Sequence, residues 1–247
     1  FSQGQDFYKK PYSKMKTFEK ISVLGVCIIN ASEGEILEFI YTGLENYHEK
    51  YYIVTPNPEL LVIAHDNDKY KQILNGAKLA LPDGVGVMLG AYLLGKPLKQ
   101  RITGVDLVKS LTNHISKQPI TVGFLGGGLN VAEQTAECLK KMNPDLRVGL
   151  VSKEWSKDLE SKKVDILFVA FGSPKQEIFI ADNLDKLPAK VIIGVGGSFD
   201  FISGKVKRAP RFLRNLGLEW LFRLIIQPWR LKRQLGLIKY VMLVLKE

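Results

Sequence analysis

The chain is poor in the residues that build disulfide scaffolds and zinc sites. Only two of its 247 residues are cysteines, Cys27 and Cys138, and they lie far apart with no CxxC spacing. The three histidines, His48, His65 and His114, are scattered and form no HExxH pattern. These absences exclude a disulfide-stapled domain and argue against a metal centre. The sparse cysteine content fits a reducing cytosol.

Other sequence signals are missing as well. No apolar run approaches the roughly 18 to 20 residues of a membrane-spanning helix, and no signal peptide is visible. The P-loop, GxSxG and SxxK motifs are absent, which removes support for ATP hydrolysis and acyl-enzyme chemistry. The polar, aperiodic residues 1–16 are predicted to be a leader or an expression remnant outside the fold.

Positive charge is concentrated at the C-terminal end. The chain carries a net charge of +10, and residues 205–247 hold eleven Lys or Arg against two Glu. The first 204 residues are almost balanced, with twenty-four basic and twenty-three acidic side chains. We therefore predict two functional units after the leader, a catalytic domain over 17–204 and a helical appendage over 205–247.

Apolar strands alternate with amphipathic helices along most of the chain. Apolar, β-branched segments at 20–30, 51–57, 119–128, 145–151, 164–172 and 189–197 are separated by segments of helical periodicity. This alternation predicts an α/β fold with a Rossmann-like, mostly parallel sheet flanked by helices. Residues 59–75 are predicted to form one amphipathic helix.

The loops at the predicted strand ends combine Gly or Pro with polar residues. They read TPNPE, LPDGVG, GGGLN, FGSPKQE and GVGGSFDF. Ligands of such sheets bind outside the carboxyl ends of the strands, so this convergence indicates an enzyme. Asp83 in LPDGVG is by itself a typical turn residue, and the question is whether it also presents a carboxylate to a ligand.

Two further motifs admit a structural and a functional interpretation. Gly126, Gly127 and Gly128 form either a diphosphate-binding turn at a helix start or a close strand–helix packing site. The stretch does not match GxGxxG, so NAD is not the expected ligand. Asp66-Asn67-Asp68 has the Asp-x-Asp spacing of some metal-dependent sugar transferases, but a solvated helix face explains it better.

The C-terminal segment is predicted to be helical with a break at Pro228. Arg223, Arg230 and Arg233 can share one helical face, with aromatic and aliphatic residues opposite. This pattern is typical of an interfacial amphipathic helix. A nucleic-acid arm and a partner-binding helix are the competing interpretations, and the apolar content favours lipid or protein.

The order of these loops resembles the WecG/TagA/CpsF glycosyltransferases. TPNPE, LPDGVGV, RITGVDL, FGSPKQE, GVGGSFDFISGKVKRAP and LGLEWLFRLIIQPWRLKRQ follow one another as in that family. The resemblance implies an inverting transfer of N-acetylmannosamine from a UDP donor to undecaprenyl-diphosphate-linked N-acetylglucosamine, without a cofactor or metal. One departure is the short SKEWSKDLESKK segment, where members have a longer segment rich in Gly and aromatics.

The resemblance also assigns roles to individual residues. It makes Asp83 the general base and places Thr55, Asn57, Arg101 and Gln176 in the substrate pocket. Arg223, Arg230 and Arg233 match arginines that close over the pocket and meet the donor diphosphate. The chemistry agrees, because an inverting displacement needs a carboxylate to take a proton and cations to stabilise the leaving diphosphate.

The expected partners follow from this resemblance. They are a UDP-sugar, a polyprenyl-diphosphate-linked acceptor and an anionic membrane surface, with a homo-oligomer possible and no nucleic acid expected. The expected location is the cytoplasmic face of the cell membrane, for teichoic acid linkage-unit synthesis. Two alternatives stay open: another UDP-sugar donor, such as the uronic acid or glucose, and a non-catalytic nucleotide- or RNA-binding module.

Overall fold

The protein is built around one parallel sheet. The computed structural model describes residues 16–46, 49–228 and 231–247. Its strands are β1 (Glu19–Val23), β2 (Val26–Asn30), β3 (Tyr51–Val54), β4 (Leu79–Ala80), β5 (Thr121–Gly126), β6 (Arg147–Ser152), β7 (Val164–Ala170) and β8 (Ala189–Gly194). Strands β3 to β8 form a six-stranded sheet in the order β4-β3-β8-β7-β5-β6, with every neighbouring pair parallel. The predicted α/β class with a parallel sheet is confirmed.

Helices cover both faces of this sheet. They are α1 (Glu33–Asn46), α2 (Pro58–Asp66), α3 (Asp68–Gly76), α4 (Val85–Leu93), α5 (Gly104–Ile115), α6 (Val131–Met142), α7 (Lys175–Asn183), α8 (Ser198–Ile202), α9 (Arg211–Asn215), α10 (Glu219–Ile226) and α11 (Leu231–Val244). On β7, Ile166 and Phe168 join one buried cluster while Leu167 and Val169 join the other. The continuous apolar strands are explained by this burial on both faces.

Two local predictions were wrong. The predicted strand over 20–30 is an antiparallel hairpin, β1 and β2, whose turn places Gly25 at a φ of 77° that favours glycine. The predicted single helix over 59–75 is two helices, because Asn67 ends α2 and begins α3 by accepting a hydrogen bond from Tyr70 N. Asp66 pairs with Lys239 and Asp68 pairs with Lys71, so this stretch is a helix junction at the surface.

The C-terminal segment forms α9, α10 and α11, with the predicted break at Pro228 between the last two. Helix α11 packs against α2 and α4. Tyr240 and Val244 are 1% and 2% exposed and belong to a core cluster. The last helix therefore completes the core, while the boundary between 204 and 205 stays a prediction.

Two further predictions concern the chain ends. Residues 1–15 of the predicted leader lie outside the described residues, and Lys16, its last residue, forms an ion pair of 2.8 Å with Glu35. Across the described ranges, no helix combines the length and the apolar character needed to span a bilayer.

Candidate active site

A cavity of about 930 Å³ opens at the carboxyl ends of the sheet strands. It is lined by the loops that follow β3, β4, β5, β7 and β8, together with α10 and α11. This is the edge where parallel α/β sheets bind their ligands, and the volume suits a ligand of nucleotide-sugar size. Seven predicted site residues line it: Thr55, Asn57, Asp83, Arg101, Gly127, Gly128 and Arg223.

Asp83 follows β4 and faces this cavity. Its backbone N–H donates to the carbonyl of Pro56 at 3.0 Å, which ties the loop after β4 to the loop after β3. Gly84, at a φ of 93°, is the residue that precedes the first turn of α4. Burial raises the pKa of Asp83 to about 7, the nearby Glu219 carboxylate adds to that rise, and Arg101 and Arg223 oppose it. The turn therefore presents a carboxyl group that ionises near neutral pH.

A charged cluster beside Asp83 was missed by the sequence analysis. Arg208 Nη1 and Nη2 donate to Asp106 Oδ1 and Oδ2 at 2.6 and 2.7 Å. Arg208 Nε donates to Glu219 Oε1 at 3.1 Å. Arg208 and Glu219 both line the cavity. Although burial works to raise it, hydrogen bonds from Arg208 and Thr103 hold the pKa of Asp106 below its usual range. The KRAP motif was the signal that could have identified Arg208.

Two predicted arginines line the cavity, Arg101 from the loop before α5 and Arg223 from α10. Arg101 Nη2 donates to the carbonyl of Arg214 at 3.4 Å, which links it to α9. The Arg223 guanidinium lies 4.7 Å from the centre of the Phe201 ring, and a Cβ on Gly197 would be only 2.9 Å from its Nη2. Arg223 thus covers the turn that follows β8.

The other two predicted arginines cannot be placed in the cavity. Arg230 lies outside the described residues. Arg233 belongs to α11, in a stretch whose side chains are also outside the description. Their predicted contacts with a donor diphosphate remain predictions.

Thr55 and Asn57 organise the loop after β3. Thr55 Oγ1 donates to the carbonyl of Gly194 at 3.1 Å, which joins the ends of β3 and β8. Asn57 Oδ1 accepts a hydrogen bond from Leu60 N at 3.1 Å and caps α2. Both residues border the cavity while their hydrogen bonds fix its wall.

The three glycines after β5 have different surroundings. A Cβ on Gly126 would lie within 2.8 Å of the Ala170 carbonyl group, so this glycine serves close strand packing and does not line the cavity. Gly127 and Gly128 do line it, and a Cβ on Gly128 would meet Lys205 Nζ at 2.7 Å. The part of the turn nearest α6 therefore combines partly exposed glycines with a lysine.

Gln176 was expected in the substrate pocket but lies beneath the cavity wall. Gln176 is only 1% exposed, and its Oε1 accepts a hydrogen bond from Gly196 N at 2.9 Å. Its Nε2 donates to Glu177 Oε1 at 2.6 Å, and that carboxylate also accepts from Ser173 and Tyr70. Gly196 lines the cavity, whereas Gln176 does not. Gln176 therefore supports the cavity wall from behind, through its hydrogen bond to Gly196.

The short segment between β6 and β7 is folded against the body. It contains a 3₁₀ turn over Lys157–Ser161. The Trp155 ring meets Phe179 edge to face at 6.1 Å between centroids, and Phe179 meets Phe171 at 4.9 Å. Phe171 lines the cavity, so this aromatic group supports its wall.

Comparison with known proteins identifies the family. The model of the glycosyl transferase WecG/TagA/CpsF family matches residues 21–247. Three relatives share the name N-acetylglucosaminyldiphosphoundecaprenol N-acetyl-beta-D-mannosaminyltransferase. The protein of Bacillus spizizenii is 40% identical over 202 residues, 79% of each chain. That of Bacillus subtilis (strain 168) is 36% identical over 221 residues, 83% of this chain and 86% of the relative. That of Staphylococcus aureus (strain MRSA252) is 32% identical over 225 residues, 87% of each. The chain belongs to the WecG/TagA/CpsF family of glycosyltransferases.

Proposed function

We propose that this enzyme transfers N-acetylmannosamine from UDP-N-acetylmannosamine to undecaprenyl-diphosphate-linked N-acetylglucosamine. The observation that carries the proposal is Asp83, a carboxyl group with its pKa near 7, which shares a cavity of suitable size with Arg101 and Arg223. The names of the three relatives state the same sugar and the same lipid-linked acceptor. The product fits the linkage unit of teichoic acid.

The reaction needs a base and a stabilised leaving group. Asp83 accepts the proton of the acceptor hydroxyl. The hydroxyl oxygen attacks the anomeric carbon of the donor sugar from the face opposite the diphosphate. The new C–O bond forms while the bond to UDP breaks, and the anomeric configuration inverts. Arg101 and Arg223 stabilise the negative charge on the departing diphosphate, which suits the two-pronged guanidinium group.

The ionisation of Asp83 suits this role. A general base works best when its pKa lies near the operating pH, because a substantial fraction is then deprotonated while the carboxylate is still basic. A surface aspartate at its ordinary pKa would be a weaker base. Burial and the Glu219 carboxylate raise the pKa of Asp83 to about 7, and Arg101 and Arg223 limit this increase.

The other predicted residues receive supporting roles. Thr55, Asn57, Gly127 and Gly128 contact the substrates from the cavity wall. Gln176 acts through Gly196, whose backbone it holds. Arg230 and Arg233 approach the donor diphosphate when the C-terminal helices close, as the family resemblance implies.

The experiment is the Asp83→Asn variant, with Asp68→Asn as the exposed control. Asp83→Asn keeps the shape of the turn but removes the base, so we expect transfer to fall at least a hundredfold, within the usual range for a general base. UDP binding, measured by calorimetry, should stay near the wild-type value. An Asp83→Asn enzyme that retains more than a tenth of the activity would contradict this assignment.

A panel of donors tests the sugar. UDP-N-acetylmannosamine should give the fastest UDP release, and a faster release from the uronic acid or from glucose would support the alternative donors. RNA binding with a steep salt dependence and no transfer from any donor would support the non-catalytic module instead.

We also propose that the enzyme works at the cytoplasmic face of the cell membrane. The acceptor is a lipid, and residues 205–247 carry nearly all of the net positive charge. Basic side chains near an anionic leaflet attract it by about 1 kcal/mol each. Assembly into a homo-oligomer is compatible with this location.

A further inference from the structure

Helix α4 is apolar on every side, yet part of it lies at the surface. Its nine residues, VGVMLGAYL, include no charged side chain. A helix that is hydrophobic all round is usually buried. Here Val85, Leu89, Tyr92 and Leu93 are 38%, 45%, 66% and 44% exposed. The exposed side of α4 is therefore an apolar surface without a partner among the described residues.

The glycines of α4 lie on its opposite side, where neighbouring helices pack against it. A Cβ on Gly90 would lie 1.9 Å from Tyr240 Oη, so Gly90 lets α11 approach closely. A Cβ on Gly86 would lie 2.5 Å from Pro58 Cγ at the start of α2 and 3.3 Å from Leu237 Cδ1 of α11. At 3.6 residues per turn, Leu89 and Leu93 then lie beside this contact and Tyr92 lies further from it.

Helix α11 extends the same surface on its cavity side. Leu237 and Val241 line the cavity together with Val85 and Leu89 of α4. Leu237 Cδ1 also lies close to α4, 3.3 Å from the position that a Cβ on Gly86 would take. We call Leu89, Tyr92, Leu93, Leu237 and Val241 the α4–α11 face.

This face is continuous with the cavity. Val85 and Leu89 line the cavity and are also partly exposed. Helix α4 begins two residues after Asp83 and extends about 13 Å at 1.5 Å per residue. A ligand that extends from Asp83 along α4 therefore contacts an apolar surface that begins inside the cavity and continues outside it.

We propose that the α4–α11 face binds the first isoprenoid units of the acceptor's polyprenyl chain. The proposal rests on the proposed function, because it places the lipid of that acceptor. A single hydrocarbon chain can follow an apolar wall into a cavity, whereas a bilayer surface cannot. Helix α4 also has no Lys or Arg that would attract an anionic leaflet.

The test compares acceptors of different lipid length. The double variant Tyr92→Gln/Leu93→Gln removes apolar surface from exposed helix positions that do not line the cavity. The KM for a long-chain polyprenyl-diphosphate-linked N-acetylglucosamine should rise about tenfold, because burying apolar area drives its binding. The KM for a water-soluble analogue with a short alkyl chain should not change, nor should UDP affinity. Met142→Gln, which removes a 56% exposed apolar side chain from α6, is the matched control.

Three results would overturn the proposal. An unchanged KM for the long-chain acceptor shows that the face does not bind it. An equal loss with both acceptors shows a general defect in catalysis. A loss of binding to acceptor-free vesicles, with a normal KM for the long-chain acceptor in detergent, assigns the face to the bilayer.

A second readout does not depend on transfer. A polyprenyl diphosphate with a photoreactive group in its first isoprenoid units should crosslink to residues 85–95 or 236–245. Crosslinks confined to other parts of the chain contradict the proposal. Crosslinks at α4 in an enzyme that transfers no sugar would support this lipid site and contradict the proposed function alone.

Discussion

At the residue scale, Asp83 is both a turn residue and the candidate base. Its N–H holds the loops after β3 and β4 together, and its carboxyl group faces the cavity. What distinguishes it from an ordinary turn aspartate is its electrostatic surroundings. Burial and the Glu219 carboxylate raise the pKa of Asp83, while Arg101 and Arg223 lower it.

The variant Glu219→Gln should shift the pH dependence of transfer. The base acts only when deprotonated, so kcat/KM rises with pH through about 7 in the wild type. Removing the Glu219 charge lowers the pKa of Asp83, and the rise should move to lower pH by about half a pH unit or more. The amide oxygen can still accept from Arg208. A pH profile of kcat/KM checks this against the exposed control Glu160→Gln, and a shift to higher pH would contradict the assignment.

At the element scale, Arg208 connects two helices that lie on either side of the predicted domain boundary at 204/205 in the sequence. It binds Asp106 on α5 and Glu219 on α10, and its side chain is 15% exposed. Helix α10 carries Trp220 and Arg223, which line the cavity. Holding α10 against α5 therefore keeps these two side chains over the site.

The variant Arg208→Met should loosen this connection. It leaves the carboxylates of Asp106 and Glu219 without their main cation, and we expect a loss of about 2 kcal/mol in the free energy of unfolding. The KM for the UDP-sugar should rise as Arg223 loses its support. Urea unfolding and donor kinetics with a soluble acceptor measure both effects, with the exposed Arg211→Met as control. Equal KM values in the two variants would show that Arg208 does not position α10.

At the scale of the whole molecule, charge and packing divide the C-terminal segment differently. The charge pattern separates residues 205–247 from the rest. The packing does not, because Tyr240 and Val244 of α11 are buried in a core cluster. Deleting the whole segment would expose that core, so substitutions of exposed cations test membrane attraction more cleanly.

The triple variant Lys207→Gln/Arg211→Gln/Lys246→Gln removes three exposed cations. Binding to vesicles with anionic lipid should weaken strongly at low salt, since each cation contributes about 1 kcal/mol near such a surface. Transfer to a water-soluble acceptor should stay the same. Cosedimentation with anionic and zwitterionic vesicles measures the effect. Unchanged binding to anionic vesicles would show that these residues do not attract the membrane.

The sequence by itself determined the class of fold and the edge of the sheet that holds the site. Apolar periodicity reports burial directly, so the parallel sheet and its flanking helices followed from it, and Gly, Pro and polar residues marked the strand ends. Apolar periodicity failed over 20–30 and 59–75, where a turn or a junction residue interrupts a pattern that is otherwise continuous.

Only the tertiary structure decided which of these residues act together. Asp106 lies 102 residues before Arg208 in the sequence, so its contact with Arg208 depends on how α5 packs against the C-terminal helices. Gln176 looked like a pocket residue from its motif, yet its amide holds Gly196 from below. The ionisation of Asp83 and the surface on α4 were likewise beyond prediction, because burial and the distance between charges are properties of the folded chain.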